Sequence, residues 1–513
     1  MPLRRFPAFA RLTPCLLALP ALMLLCGAPA ASAQASETGS LTRDSGLFTL
    51  EYQTVKVPGD RPIDFFGAHA YHRLTDSLYA GAGFYAPLAK GEYGGFIAAD
   101  LGVHLRHRLG GRVYGVAGLS AGGGGGGRDV EHSKRLSGSG GFGKGYAGLS
   151  YDFGAFTAGA TVSRMKFRNA LIDSTQLNLL VEVPFTYLTG PYGAQGQRLS
   201  PADDAVAARE MGETMLTLSL DNYAQQSPRG SNRSTIRLAD LQYAHFFAPD
   251  SYWFASLGMG YAGLPLYNQL LGGVGQRVRL TPQWSLYGQL GLGSGGYAPD
   301  VVDTRAGLLV YPRVAAEVAL TRDLGLALTA GAMVAPTGSA RNLTYGLSLT
   351  RHLRAGQGSD ASGPAVYQGL RLSVLHQTDF NLRYREVRRP AVQMLGLQLD
   401  VPLGPRAYLP LQASGAYNAY LGYPGYAEIL GGLGLQTLAA PGDRWQAYAQ
   451  GLVGANVHGR TAKVSAGLRW LLDERLAVNA GVGRVSARSS SGGRFEADNV
   501  SLGLDYRFSV PAR

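Results

Sequence analysis

One hairpin is written three times along this chain, and its pattern restricts the fold more than any other feature. The copies read AADLGVHLRHRLGGRVYGVAGLSAGG from Ala98, LLGGVGQRVRLTPQWSLYGQLGLGSGG from Leu270 and ILGGLGLQTLAAPGDRWQAYAQGLVG from Ile429. Each holds an apolar–Gly pair in an alternating run (Leu101-Gly102, Val274-Gly275, Leu433-Gly434). A short Gly/Pro turn follows, then a second alternating run built on a tyrosine (Tyr114, Tyr287, Tyr448). Period-2 alternation sends successive side chains to opposite faces of a strand, and recurrence of one hairpin marks a repeated unit.

The alternation extends through the rest of the chain. Leu177, Leu179, Val181, Val183, Phe185 and Tyr187 are interleaved with Gln176, Asn178, Glu182 and Thr186, and Leu343, Tyr345, Leu347 and Leu349 with Thr344, Gly346, Ser348 and Thr350. Hydrophobic residues make up 46% of the chain and charged residues only 16%, well below the quarter or so usual for soluble proteins. Yet beyond the N-terminus no apolar run approaches the ~18 residues that a spanning helix needs. A soluble β-sandwich protects its edges with charge, lysine above all, and this chain has six lysines. Segments of about ten alternating residues with one apolar face match transmembrane β-barrel strands.

The connections alternate in length, as they do in such barrels, where short periplasmic turns face longer outer loops. Short turns are expected at 74–76, 110–111 and 152–154, then at 249–250, 281–282 and 322–323, then at 402–405, 440–443 and 473–474. Between the first of these lie longer outer connections at 58–62, 88–93, 122–135 and 169–174. The 122–135 stretch, with its run of glycines, is expected to be a flexible outer loop; it lacks the Lys-Ser/Thr and the following helix of a phosphate loop. Each copy therefore holds about eight strands, and the chain roughly 24.

The expected fold class is an all-β, transmembrane antiparallel β-barrel of roughly 24 strands from three eight-strand repeats. Residues 1–33 form a secretory signal, with Arg4, Arg5 and Arg11, an apolar stretch over 12–25, and Ala31-Ser32-Ala33 as its cleavage site. Repeat 1 covers 34–187, repeat 2 covers 213–353 and repeat 3 covers 366–509. The joint at 188–212 carries Ser200-Pro201-Ala202-Asp203-Asp204, the start of a short periplasmic helix; the joint at 354–365 is polar and Gly/Ser-rich. Cys15 and Cys26 both fall in the signal, so the mature chain has no thiol for a disulfide, a metal or catalysis. Net charge is +12, without the clustered basic face of a nucleic-acid module.

The last strand is the most specific local signal. Val500, Leu502, Leu504, Tyr506 and Phe508 alternate with Ser501, Gly503, Asp505 and Arg507. This resembles the C-terminal strand that Gram-negative outer-membrane β-barrel proteins present to the barrel-assembly machinery, with Tyr506 and Phe508 as the assembly signal. Five residues follow Phe508 here, whereas that pattern ends on the aromatic. The resemblance is to a class, carried by the signal, the alternation and this strand. It implies the outer membrane as location, with its lipid and lipopolysaccharide and the assembly machinery as partners.

Strand phase sets His104, Arg106, Arg277, Arg279 and Gln436 on one face with Tyr114, Tyr287 and Tyr448. A lipid-facing arginine costs about 2–4 kcal/mol at the midplane, so these positions are expected to line the lumen. Two uses are open to the arginines: favouring anions in a pore, or pairing with lumenal carboxylates such as Glu182, Asp221 and Asp505. An outer loop at 379–390 carries Arg383, Arg385, Arg388 and Arg389, a basic cluster suited to lipopolysaccharide phosphates or an acidic polymer. Trp284 and Trp445 flank periplasmic turns as a girdle would. No HExxH or comparable metal spacing occurs, no cofactor is implied, and His72, His104 and His107 near Asp76 make an unconvincing catalytic set. An enzyme is therefore not expected.

A 24-strand barrel would enclose water, so the leading expectation is an outer-membrane channel passing hydrophilic solutes or polymer. The alternatives are a structural or adhesive surface protein of small pore-less eight-strand barrels and, least favoured, a barrel enzyme acting on lipid or surface polymer.

Overall fold

The alternation is realised as antiparallel strands that close on themselves three times. The computed structural model describes residues 41–190, 199–203, 205, 213–226, 229–353, 366–439, 443–473, 475–489 and 492–512. The signal at 1–33 and the joint at 354–365 lie outside the described residues. So does most of the helix expected in the first joint, of which the Ser200 cap is seen: the Asp203 amide donates to Ser200 Oγ at 3.1 Å.

Barrel 1 consists of β1 (Thr42–Val55), β2 (Ile63–Arg73), β3 (Leu78–Ala86), β4 (Ile97–Gly110), β5 (Val113–Gly125), β6 (Gly141–Asp152), β7 (Thr157–Phe167) and β8 (Asp173–Thr189). Barrel 2 consists of β9 (Thr214–Gln225), β10 (Ile236–Phe246), β11 (Ser251–Ala262), β12 (Asn268–Arg279), β13 (Trp284–Gly296), β14 (Leu308–Ala319), β15 (Leu324–Val334) and β16 (Arg341–Leu353). Barrel 3 consists of β17 (Val366–Tyr384), β19 (Val392–Pro402), β20 (Ala407–Ala416), β21 (Ala427–Gln436), β22 (Trp445–Asn456), β23 (Gly459–Leu471), β24 (Leu476–Arg488) and β25 (Arg494–Ala512). The two-residue β18 (Val387–Arg388) folds back on the end of β17.

The hairpin that recurs in the sequence is the fourth and fifth strands of each barrel. The strand count and the eight-strand repeat agree with expectation, but the single wide barrel does not form. The first strand of each repeat pairs with the last of the same repeat: β1 with β8, β9 with β16, and β17 with β25. A free strand edge is satisfied equally by the eighth strand or by a neighbouring repeat. What decides is the interior, because eight strands make a bore that side chains can fill completely.

Two outer segments also differ from expectation. The glycine run continues β5 as far as Gly125, and Val130–Ser137 forms helix α1, capped where Asp129 accepts from the His132 amide at 3.0 Å. The expected loop at 379–390 is mostly strand, since β17 runs to Tyr384 after a bulge at Phe380–Arg383.

The three barrels pack side by side. At the outer rim Asn268 donates to the Gly95 carbonyl at 2.9 Å, and the Gly94 amide to the Arg305 carbonyl at 2.8 Å, joining barrels 1 and 2. Barrels 1 and 3 meet along the glycine run, where a Cβ on Gly123 would stand 2.5 Å from the Ala416 carbonyl. Toward the opposite end Tyr506 of β25 donates to Asp44 of β1 at 2.9 Å. Leu216 and Leu353 of barrel 2 pack with Leu370 and Val401 of barrel 3. Wall positions on the first strands of each repeat, such as Ala68, Met259 and Val401, are buried although they point out of their own barrels. On later strands the equivalent positions are bare: Leu119, Leu328 and Val482 are 67%, 69% and 66% exposed. Large aliphatic side chains so exposed, repeated around the outside, form the surface that lipid covers.

Candidate functional site: three filled bores and an arginine-rich outer rim

Each bore is crossed by the same strut. A cation on the sixth strand reaches an acceptor on the first: Lys144 of β6 to Glu51 of β1, Arg313 of β14 to Asp221 of β9 at 3.1 Å, and Lys463 of β23 to Gln377 of β17 at 2.6 Å. Arg313 also donates to Ser219 and Ser348, one on each side of the β9–β16 seam, so a single guanidinium ties the closing strands together.

Further ion pairs fill the rest of each bore. In barrel 1, Glu182 on the closing strand β8 lies 2.8 Å from His104 and 3.6 Å from Arg106, while His69 pairs with Asp100 at 3.1 Å. In barrel 3, Arg469 lies between Asp505 at 2.9 Å and Asp400 at 3.5 Å, and Arg371 also holds Asp400. Near the end of barrel 2 where β9 begins, Arg277 grips Glu213 through two hydrogen bonds of 2.6 and 2.9 Å, and His352 bridges Glu213 to Glu317. Glu213 precedes β9. Burial alone would raise its carboxyl, but the hydrogen bonds from His352 and Arg277 hold it at about 2. One cavity within barrel 3 measures about 10 Å³ and one within barrel 2 about 30 Å³, the size of one or a few waters.

The residues singled out by strand phase face not one lumen but three. His104 and Arg106 lie in barrel 1, where the Arg106 guanidinium stacks 3.9 Å over Tyr114. Arg277 and Tyr287 lie in barrel 2, Tyr287 donating to Glu317 at 3.3 Å. Arg279 stands at the exposed rim, 3.7 Å from Asp250. Gln436 and Tyr448 lie in barrel 3: Gln436 accepts from Arg371 at 3.0 Å, and Arg469 stacks 4.1 Å over Tyr448. A shared ring of charge around one pore is therefore absent, because each repeat encloses its own set. Of the named carboxylates, Glu182 lies beside Arg106, whereas Asp221 and Asp505 hold Arg313 and Arg469. Sequence reasoning passed over Lys144, Arg313, Arg371, Lys463 and Arg469. Their inward phase was readable, but the partner across the bore is set by the sheet's closure.

The histidines near Asp76 do not gather. His72 bonds Tyr187, Asp76 pairs with Arg73, and His104 is enclosed in the bore. Among the described residues no group of three His, Cys, Asp or Glu could hold a metal ion. Trp284 and Trp445 are exposed on the wall, and Trp445 stacks on Trp470 with ring centres 6.0 Å apart.

At the outer end of barrel 3, Arg385 lies over Tyr384, Arg388 reaches Asn381, Arg383 pairs in register with Glu496, and the Arg389 amide bonds the Leu382 carbonyl. Beneath them His458, in the turn between β22 and β23, is stacked on Tyr384 at 4.2 Å and bonded to Tyr420. Burial, reinforced by Arg385, lowers its imidazole to about 4 from an ordinary value near 6.5. An unfolded histidine takes up its proton between pH 6.5 and 4 while the folded one does not. The stability this residue supports is therefore complete above about pH 6.5 and declines as pH falls toward 4. Amide exchange at 456–459, corrected for its intrinsic pH dependence, is expected to be faster at pH 4.5 than at pH 7; equal protection would contradict this.

Tyr506 and Phe508 lie in β25, which runs past Phe508 to Ala512. Tyr506 contacts Asp44, and Phe508 packs against Tyr187 and the barrel 2–barrel 3 cluster.

No protein-family model matches the chain, and no curated protein does. Among solved structures it is similar to the siderophore receptor PirA of Acinetobacter baumannii, at 9% identity over 92% of this chain and 81% of that one, with a TM-score of 0.29. It is also similar to the outer membrane protein Ail of Yersinia pestis, at 14% identity over 28% of this chain and 99% of that one, with a TM-score of 0.21. A third, the KdgM porin, is 9% identical over 56% of this chain and 98% of that one, with a TM-score of 0.16. Likeness at this level carries no argument, and the class of the chain rests on its own closed barrels and bare apolar belt. It is a transmembrane β-barrel protein built of three closed eight-strand barrels.

Proposed function

We propose that this chain is a pore-less surface protein of the Gram-negative outer membrane, in which three small barrels form one platform for the outer loops. One observation carries the reading: every repeat closes on itself around a bore filled by a cation strut and its ion pairs. The wide aqueous lumen on which a channel would depend is not formed. The interlocked outer connections, backbone to backbone between barrels 1 and 2, suit a structural or adhesive role. We further propose that β25, with Tyr506 and Phe508, engages the barrel-assembly machinery.

Conductance in planar bilayers tests this. Protein shown to be inserted by its heat-dependent electrophoretic mobility is expected to give no steps of nanosiemens size. Steady nanosiemens channels would overturn the reading.

A further inference from the structure

Three arginines on the outside of barrel 3 stand in a row that nothing in the bores accounts for. Arg460 of β23 is the register partner of Arg488 of β24, and Arg488 is the partner of Arg494 of β25. All three are exposed. They share the outward face with Val464, Val482 and Val500. Direct cross-strand neighbours have Cβ atoms about 5 Å apart, and like charges so placed repel. Among the described residues one carboxylate touches the row: Glu496 pairs with Arg494 and, at 3.4 Å, with Arg484 one step below. Among the described residues Arg460 and Arg488 have no carboxylate partner.

Depth locates the row. Trp470, stacked on Trp445 in the inner aromatic girdle, stands ten residues from Arg460 on the same strand. At ~3.3 Å per residue and a tilt of about 45°, that spans roughly 23 Å along the membrane normal, close to the ~25 Å height of an apolar belt. The row thus lies where the outer leaflet's hydrocarbon ends and its headgroups begin. β23 also starts against barrel 2, where a Cβ on Gly459 would stand 3.3 Å from the Tyr261 carbonyl. The arginines therefore border the crevice between two barrels, whose apolar flanks lie directly below.

We propose that Arg460, Arg488 and Arg494 form a binding site for the phosphorylated headgroup of an outer-leaflet glycolipid. The phosphate receives their forked donors, and the acyl chains lie on the apolar wall beneath. Guanidinium is suited to this because its planar fork meets phosphate oxygens two at a time, and such charge-assisted bonds are among the stronger ones in proteins. The anion also relieves the repulsion within the row. Arg383 and Arg388 on the neighbouring hairpin extend the same positive surface above it.

The full chain is reconstituted in phosphatidylcholine nanodiscs containing bisphosphorylated lipid A or its dephosphorylated counterpart, and retained lipid is counted by native mass spectrometry. The parent protein is expected to retain the phosphorylated lipid and not the dephosphorylated one. Arg460→Gln/Arg488→Gln/Arg494→Gln is expected to weaken retention at least about tenfold. Arg164→Gln/Lys166→Gln, on the outer wall of barrel 1, is expected to leave it unchanged. Heat-dependent mobility confirms that each variant folds, and all three substituted positions lie on an exposed face. Equal retention by the triple variant, equal retention of the dephosphorylated lipid, or displacement of the lipid by inorganic phosphate alone would each overturn the proposal.

Discussion

Arg313→Leu is expected to destabilise the protein by about 3–5 kcal/mol, the cost of removing one partner from a buried ion pair. The guanidinium contacts Asp221, Ser219 and Ser348 in the interior of barrel 2, and Asp240 lies on the same inner face. Its loss strands a buried carboxylate without its cation and unties the β9–β16 seam. Adding Asp221→Leu is expected to recover most of the loss, since an apolar pair of similar volume is often no worse than the ion pair it replaces. Urea midpoints in lipid vesicles measure both. A single-variant loss below about 1 kcal/mol, or a double variant worse than the single, would mean that the strut is not what holds the bore.

The second large effect lies between barrels. Gly123→Leu places side-chain atoms where the Ala416 carbonyl and the Tyr417 Cα already stand, 2.5 and 2.7 Å from the Cβ position. Both obstacles are backbone, so they cannot swing aside as a side chain would. The outer rims of barrels 1 and 3 should part while both barrels remain closed, at about 1–3 kcal/mol in stability, as for other overpacked contacts. Residues 34–513 contain no cysteine, so Lys134→Cys and Tyr423→Cys can report on the gap. The Lys134 ammonium lies 5.8 Å from the Tyr423 ring centre. A short bis-maleimide is expected to link this pair in the parent and to link it poorly in the Gly123→Leu background. Undiminished linking would show that the rims are not held at that glycine.

The strand pattern was readable from local periodicity, and so were most turns: 74–76, 110–111, 152–154 and 281–282 all join consecutive strands as expected. Burial and exposure along β4 and β13 follow the two faces that alternation assigned. The glycine run misled because its composition is that of a loop. Its cause is the approach of another barrel, and that approach is not encoded near it in sequence. The site residues were legible in the same limited way. Inward phase picked out His104, Arg277 and Gln436, but not that Lys144 and Arg313 would reach Glu51 and Asp221 across their bores.

Sequence alone therefore determined the strands, their two faces, the eight-strand unit and an apolar belt, all of which follow from side-chain order within one or two strands. Tertiary structure decided how many bores exist and whether they are open. A strand's hydrogen-bonding edge is the same whether its partner is the eighth strand of its own repeat or the first of the next. The choice falls to side chains far apart in sequence: Lys144 meeting Glu51, Arg313 meeting Asp221 and Lys463 meeting Gln377 across a span that only eight strands make short enough to bridge.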